Sequence, residues 1–243
     1  MRWARTRKSW RAAIRERPEA VLIVFSRAPR PGRVKSRLRS ALGAAGAARL
    51  HAQLLARAVA TARAARCGAV ELHCAPHCGH ALFRALARRH GIRLRTQAGG
   101  DLGARMHGAL QGALARADAA VLIGSDCPEL RPADIRAAFA ALRAGADLVL
   151  APAEDGGYPL IGLRRASPAL FDGMPWGGPE VLRETRRRAA RLGWSLQELR
   201  TLWDVDRPAD LARLRSRRLL SAGPPTSLRS GGSRARSGAP GRP

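Results

Sequence analysis

The chain has 243 residues, enough for a domain with a sizeable core, and a formal net charge of +26 from 44 Lys and Arg against 18 Asp and Glu. This excess favours an anionic partner, but aromatic residues that could stack on bases are only 4% of the chain, which argues against a nucleic-acid-binding body. No stretch approaches the length of about 18 apolar residues that a membrane span needs, so we expect a cytoplasmic protein without a membrane span.

Much of the positive charge lies at the two ends of the chain. Residues 1–19 form a basic N-terminal extension, and residues 220–243 are rich in Gly, Ser, Pro and Arg, a composition typical of disordered tails. Any contact with nucleic acid is expected to be non-specific and to use these tails. The segment 20–219 is therefore expected to hold the functional domain.

Strand and helix patterns alternate along this segment. In chain order they predict a strand over 20–25, a helix over 46–66, a strand over 69–74, a helix over 79–89, a strand over 92–96, a helix from 102, a strand over 119–124, a helix over 132–143, strands over 147–152 and 158–163, a helix over 178–191 and a last helix from 207. This order predicts a three-layer α/β fold with a mostly parallel central sheet. Such sheets bind ligands beyond the carboxyl ends of their strands.

A single carboxylate stands where the central apolar run stops. In "AVLIGSDCPEL", residues 120–130, Asp126 follows a run that is apolar without alternation, as expected of a strand buried on both faces. Asp126 should therefore emerge at the carboxyl end of the strand, as a candidate metal ligand or catalytic acid. A simple turn, which Asp and Pro both favour, is the alternative.

The loop after the first strand is cationic. The stretch "SRAPRPGRVKSRL", residues 26–38, carries Arg27, Arg30, Arg33, Lys35 and Arg37, with Gly32 where the backbone can approach a ligand closely. Fixed cations with free backbone amides suit a phosphate chain. A solvated basic loop is the alternative, but Lys35 is the only lysine outside the N-terminal extension, and an ammonium is not interchangeable with a guanidinium.

A third loop brings carboxylates to the same edge. In "LAPAEDGGYPLIGL", residues 150–163, Glu154 and Asp155 precede Gly156 and Gly157, and Tyr158 is the only tyrosine. Carboxylates facing a cationic loop are what a divalent cation and a diphosphate need together. A hairpin turn would also explain this stretch.

Two shorter stretches add candidates. In "AGGDLGARMHGAL", Gly100 and Asp101 open a helix whose N-terminus could hold an anionic group, although Asp101 could also be only an N-cap. In "WDVDRPADLARL", Asp204 and Asp206 form an Asp-x-Asp pair. Asp206 is either the N-cap of the last helix or a metal ligand.

The blocks "VFSRAPRPGRVKSRL", "GGDLGARM", "LIGSDCPEL", "PAEDGGYPLIGL", "MPWGGPEVLRET" and "WDVDRPADL" resemble, in this order, those of the bacterial DUF2064 family. That family is glycosyltransferase-like, with the GT-A or nucleotide-diphospho-sugar transferase fold. The resemblance implies that Asp126 is the metal-binding acid and that Lys35 and Arg37 face the nucleotide phosphates.

Three blocks, "VKSRL", "GGDLG" and "GSDCPEL", are also similar to those of phospholactate guanylyltransferase, a nucleotidyltransferase of the same broad fold. The predicted function is a transferase that requires Mg²⁺ or Mn²⁺ and moves a sugar from a nucleotide-sugar to an unknown acceptor. A nucleotidyltransferase and a non-catalytic basic binding protein are the alternatives. The predicted catalytic residues are Asp126 and Asp155, the predicted metal ligands are Asp126 and Asp206, and the predicted nucleotide-binding residues are Arg27, Gly32, Lys35, Arg37, Gly100, Asp101, Gly156, Gly157 and Tyr158.

Overall fold

The computed structural model describes residues 20–217 and residue 219, so the predicted extension 1–19 and the predicted tail 220–243 lie outside the described residues. Strands β1–β7 span Ala20–Arg27, Ala69–Ala75, Arg93–Thr96, Ala119–Ile123, Leu148–Ala151, Leu160–Leu163 and Leu196–Glu198. Helices α1–α6 span Arg39–Ala65, Ala81–His90, Leu102–Leu114, Pro132–Arg143, Val181–Arg191 and Pro208–Ser216. Two short 3₁₀ helices, Ser36–Leu38 and Pro168–Leu170, complete the order.

The strands form one sheet in the order β3-β2-β1-β4-β6-β5-β7. Only β6 runs against its neighbours, and the other described pairings are parallel. The mostly parallel sheet predicted from the alternating pattern is therefore confirmed. Because β1 and β4 pair in parallel, with Val24 opposite Ile123, the loops that follow them leave the sheet at the same edge.

Helices cover both faces of the sheet because its central strands are apolar on both sides. Alternate residues of β1 separate the two layers: Leu22 and Val24 pack with residues of α1, α2 and α4, and Val21 and Ile23 pack with residues of α3 and α5. All of these β1 side chains are almost fully buried. The two cores hold the central strands rigidly and fix where their carboxyl ends point.

A third cluster joins the two ends of the described chain. Leu38 and Leu54 pack against Trp203, Leu211 and Leu214, which brings the segment after β7 and helix α6 onto the start of α1. Helix α1 begins at Arg39, earlier than predicted, because a short helical segment precedes the predicted helix. The two segments meet at Gly43, which is non-helical with φ of 67°. Strand β7 was not predicted, since its three residues are half-buried or exposed and form no apolar run.

One charged group is fully buried inside the sheet. The Oε2 atom of Glu71 on β2 accepts hydrogen bonds from Arg95 Nε at 2.9 Å and Arg116 Nη2 at 2.8 Å, and lies 3.2 Å from His73 Nε2. Burial alone would favour the neutral acid, but these three partners outweigh it and lower the pKa of Glu71 from 4.5 to about 2. None of the helices in residues 20–217 is both long and apolar enough to cross a membrane.

Candidate active site

A cleft of about 760 Å³ opens at the edge of the sheet where β1 and β4 end. The loop after β1, the loop after β4, the start of α3 and the segment after β7 all contribute to its walls. It is lined by most of the predicted site residues, namely Arg27, Gly32, Lys35, Arg37, Gly100, Asp101, Asp126 and Asp206. The structure therefore brings together residues that lie far apart in the sequence, from Arg27 to Asp206.

Asp126 lies at the centre of this cleft. Its backbone carbonyl accepts a hydrogen bond from the Val205 N–H at 3.0 Å, which ties the end of β4 to the segment after β7. Its side chain is 41% exposed, with Oδ2 2.9 Å from Lys35 Nζ and Oδ1 3.4 Å from His51 Nδ1. Burial works against its charged form, but Lys35 and His51 outweigh that effect and hold the pKa of Asp126 well below its usual range. Asp126 is therefore an anion within the cleft.

Lys35 is built into the wall of the cleft. Its backbone is left-handed, with φ of 49° and ψ of 47°, a conformation that costs a non-glycine residue about 1 kcal/mol or more and that concentrates at functional sites. Its side chain is only 3% exposed, and its ammonium donates to the Val205 carbonyl as well as pairing with Asp126. The ammonium can reach a ligand only next to Asp126, so its predicted contact with phosphate would be made there.

His51 was not among the predicted site residues. It lies on the buried face of α1, with Nε2 3.0 Å from the Arg27 carbonyl oxygen and 3.2 Å from Ser26 Oγ. Its Nδ1 is buried, faces Asp126, and has no hydrogen-bond partner in the described part of the chain. In the sequence it reads as one more position of an amphipathic helix, which explains why it was missed.

Asp204 does not line the cleft, but its carboxylate interacts electrostatically with Asp126; of the two acids, Asp206 was the predicted metal ligand. Burial, together with the negative charge of Asp126 and smaller contributions from Asp155 and Asp206, raises the pKa of Asp204 to about 7, against the opposing effect of Lys35. Its Oδ1 is buried without a hydrogen-bond partner among the described residues. A carboxylate held this way is unfavourable unless a cation or proton completes it.

Asp206 forms an ion pair with Arg37 at the mouth of the cleft. The alternative that Asp206 caps the last helix is wrong. Helix α6 begins at Pro208, and the cap is made by Asp210, whose Oδ2 accepts from the backbone N–H groups of Asp206 and Arg207 at 2.9 and 2.6 Å. The Asp206 side chain is thereby left to face the cleft.

The loop after β1 forms a second, cationic chamber beside the cleft. This chamber has a volume of about 460 Å³ and is lined by four guanidinium groups together with Ala28, Ala75, Pro76 and Gln97. Of the four, Arg27, Arg30 and Arg33 have no carboxylate within 4.0 Å among residues 20–217 and 219, and Arg105 donates only to the carbonyls of Gly99 and Gly100. Unpaired guanidiniums in a concave site favour an anionic ligand.

The Gly-rich loop before α3 closes the cleft on another side. Asp101 is the N-cap of α3, since its Oδ1 accepts from the Ala104 N–H at 2.8 Å. This hydrogen bond occupies one oxygen of the Asp101 carboxylate. Gly100, the residue before it, also lines the cleft. The next residue, Leu102, is 45% exposed and lines the cleft, which offers an apolar contact to a bound ligand.

The loop after β5 is held mainly by contacts within the protein. Glu154 forms two hydrogen bonds with Arg213, at 2.6 and 2.8 Å, so the expectation that it faces the cleft as a free carboxylate is wrong. Asp155 is exposed, and its Oδ1 accepts from the Gly157 N–H at 3.0 Å. Position 156 requires glycine. Its φ is 86°, and a Cβ there would lie 2.1 Å from the Pro179 carbonyl oxygen.

Tyr158, a predicted nucleotide-binding residue, does not line the cleft and instead contacts α5. Its hydroxyl lies 3.4 Å from Thr185 Oγ1 on α5, and its ring packs edge-on to Trp176 with centroids 6.5 Å apart. Burial raises the pKa of Tyr158 to about 12. Its contacts explain how the loop after β5 is fixed against α5.

The acidic side chains of the cleft supply only some of the ligands that a divalent cation needs. No three His, Cys, Asp or Glu side chains in the described ranges have the arrangement of a complete metal site. Mg²⁺, however, is commonly held by one or two carboxylates together with substrate phosphates and water. The buried, unpartnered Oδ1 of Asp204 beside the Asp126 anion is an acceptor that such a cation would complete. The residues therefore fit a cation that is bound jointly with a phosphate ligand.

Comparison with known proteins bears on both the family and the fold. A family model described as "Uncharacterized protein conserved in bacteria (DUF2064)" matches residues 58–178. The crystal structure of a "putative nucleotide-diphospho-sugar transferase" from Desulfovibrio desulfuricans G20 is 31% identical, with a TM-score of 0.70 over 78% of this chain and 83% of that one. No curated protein matches the sequence.

Two more distant structures share the fold. A CMP:2-keto-3-deoxy-manno-octonic acid synthetase complexed with CTP is 14% identical, with a TM-score of 0.52 over 82% of this chain and 98% of that one. A glucosyl-3-phosphoglycerate synthase from Mycobacterium tuberculosis, in complex with phosphoglyceric acid, is 13% identical, with a TM-score of 0.51 over 83% and 77%. The predicted GT-A-like fold is confirmed.

Proposed function

Because the chain belongs to the bacterial DUF2064 family and has the fold of nucleotide-diphospho-sugar transferases, we propose that it is a metal-dependent transferase that uses a nucleotide-activated substrate. In this proposal a nucleotide-sugar donates its sugar to the hydroxyl of an acceptor. The observation that carries the proposal is the position of Asp126. It is an ionised carboxylate at the carboxyl end of β4, facing the cationic loop that follows β1.

The residues of the cleft divide the work of binding the donor. The diphosphate would lie between Asp126 and the loop that carries Lys35 and Arg33, because these cations offset its negative charge. Asp126, Asp204 and Asp206 would hold Mg²⁺ or Mn²⁺. When bound, the cation would neutralise the charge that develops on the departing nucleoside diphosphate.

The acceptor side is assigned to the loop after β5. Asp155 is an exposed carboxylate without a cationic partner in the described part of the chain, and its charge contributes to raising the pKa of Asp204. A carboxylate in this position would accept the proton of an acceptor hydroxyl as general base. Gly157, which positions Asp155 through its backbone N–H, would then act by orienting that base.

Nucleotidyl transfer is the second candidate, and the arginine chamber favours it. Three unpaired guanidiniums beside the cleft exceed what a diphosphate needs and would suit the triphosphate of a nucleotide that releases pyrophosphate. The synthetase that shares this fold is complexed with CTP. The third candidate, a basic binding protein without catalysis, would bind nucleotides no better with Mn²⁺ than without it.

Calorimetry and product analysis separate these candidates. Binding of nucleoside triphosphates and nucleotide-sugars is measured with and without Mn²⁺, and the best ligand is then incubated with the protein and candidate acceptors. Release of a nucleoside diphosphate supports glycosyl transfer, and release of pyrophosphate supports nucleotidyl transfer. Asp126→Asn should abolish the Mn²⁺-dependent part of binding, whereas Asp118→Asn, an exposed control, should not. Equal binding by wild type and Asp126→Asn would overturn the proposal.

A further inference from the structure

Gln97 presents one fixed acceptor to the arginine chamber. Its Nε2 atom donates to the Ser26 carbonyl at 3.3 Å and to the His73 carbonyl at 2.9 Å, near the ends of β1 and β2. Because carbonyl oxygens can only accept, the nitrogen of the amide must face them, which fixes the orientation of the amide. Its Oε1 atom has no hydrogen-bond donor among residues 20–217 and 219. Oε1 is therefore the polar atom that Gln97, which lines the chamber, offers to a ligand.

The other polar side chains of the chamber are guanidiniums, which can only donate. Arg30 is the one that lines the chamber without also lining the cleft, and its guanidinium has no hydrogen-bond or ion-pair partner in the described part of the chain. A guanidinium presents two parallel N–H groups to a ligand. Ala28, Ala75 and Pro76 add small apolar surfaces. The chamber thus combines a fork of two donors, one fixed side-chain acceptor and an apolar wall.

The strand order determines which part of a bound nucleotide-sugar would reach this chamber. The chamber lies where β1 and β2 end and where Gln97 follows β3, on one side of Asp126. Asp155 follows β5, which lies on the other side of β4 in the sheet. With the diphosphate beside Asp126, the sugar must extend towards Asp155 to meet an acceptor. The nucleoside, at the other end of the diphosphate, then extends towards the chamber.

We propose that the chamber binds the base of the nucleotide and that Arg30 and Gln97 select guanine or cytosine over adenine or uracil. This inference rests on the proposed function. Guanine presents N7, O6 and N1–H in order, and cytosine presents O2, N3 and N4–H, so each has two neighbouring acceptors followed by a donor. Adenine and uracil each place a donor between two acceptors. A donor fork beside a fixed acceptor matches the first order, whereas the second order makes a donor face a donor.

Calorimetry with nucleoside diphosphates tests the proposal on the full-length wild-type protein, with EDTA and then with Mn²⁺. Inosine and adenosine diphosphate are the matched pair, because their bases are alike in size but inosine keeps the order N7, O6, N1–H of guanine. We expect the guanosine, cytidine and inosine diphosphates to bind about tenfold or more tighter than those of adenosine and uridine. Affinities for inosine and adenosine diphosphate that agree within about threefold would overturn the proposal.

One conservative variant assigns the preference to Arg30. Arg30→Lys keeps the positive charge but removes the fork, so the preference for inosine over adenosine diphosphate should fall to about threefold or less while pyrophosphate binding is unchanged. The control Arg49→Lys, an exposed change on α1, should behave as wild type.

The outcomes separate this inference from the proposed function. If Arg30→Lys weakens binding of both diphosphates and of pyrophosphate alike, Arg30 is a phosphate ligand, as nucleotidyl transfer would require, and the inference is wrong. Transfer activity without a base preference would refute this inference alone. A base preference without Mn²⁺-dependent binding or transfer would refute only the proposed reaction.

Discussion

The ammonium of Lys35 lies 2.9 Å from the carboxylate of Asp126, so the cation expected to bind phosphate and the acid expected to bind metal form one ion pair. A cation that enters the cleft must share Asp126 with Lys35 or displace it. A phosphate that binds beside the metal would offer Lys35 a new partner. The pair therefore couples metal binding to phosphate binding through a single side chain.

This coupling predicts opposite effects when Lys35 is neutralised. Lys35→Met removes the positive charge next to Asp126, so the affinity for Mn²⁺ alone should be unchanged or higher, while the affinity for pyrophosphate should fall about tenfold. Calorimetry with each ligand separately measures both. Arg49→Met, an exposed change on α1, is the control. A parallel loss of Mn²⁺ and pyrophosphate binding would contradict the coupling.

The buried carboxylate of Asp204 should lower the free energy of unfolding of the wild-type protein. Its carboxylate is buried near Asp126 with Oδ1 unpartnered in the described part of the chain, so Asp204→Asn should raise the free energy of unfolding by about 1 kcal/mol. The same variant should bind Mn²⁺ with pyrophosphate more weakly. Urea unfolding and calorimetry on one preparation check both effects. If Asp204→Asn is less stable than the wild type, the Asp204 carboxylate has favourable partners in the folded protein and the prediction is wrong.

The pH dependence of stability should depend on Glu71. Its pKa is about 2 in the folded protein against 4.5 for the free group, so its stabilising contribution is complete above pH 4.5 and is lost as the pH falls towards 2. The shift corresponds to about 3 kcal/mol. Glu71→Gln should be less stable at pH 7 and should lose less stability on acidification. Urea unfolding from pH 7 to pH 3 tests this, and equal slopes for both proteins would disprove it.

Two glycines with nearly the same φ allow the effect of packing in the loop after β5 to be measured separately from the effect of φ. Gly156 and Gly177 have φ of 86° and 85°, but only Gly156 has an atom in the way of a Cβ, the Pro179 oxygen at 2.1 Å. Gly177→Ala should cost about 1 kcal/mol for the positive φ alone. Gly156→Ala should cost at least about 2 kcal/mol and should disturb Asp155. Equal losses in thermal unfolding would mean that the loop moves aside freely.

Sequence patterns predicted the parts of this site that lie next to strand ends. Asp126 and the cationic loop follow buried apolar runs, and a parallel sheet necessarily brings the carboxyl ends of β1 and β4 together. His51 could not be found in this way, because its place beside Asp126 depends on how α1 packs across the sheet. Choosing between Asp204 and Asp206 likewise required knowledge of which one is buried and which one pairs with Arg37.

The third hydrophobic cluster also determines when the site can form during protein synthesis. Lys35 and His51 leave the ribosome early, whereas Val205, whose carbonyl anchors Lys35, and Trp203, which packs near Leu38, emerge among the last residues of the described chain. Domains generally fold as units, so a nascent chain that still lacks Trp203 and Val205 lacks part of the domain and cannot close its cleft. Cation and nucleotide can therefore stabilise only a nearly complete domain, and a product truncated before Trp203 would lack Asp204, Asp206 and the apolar side chains that pack against Leu38 and Leu54.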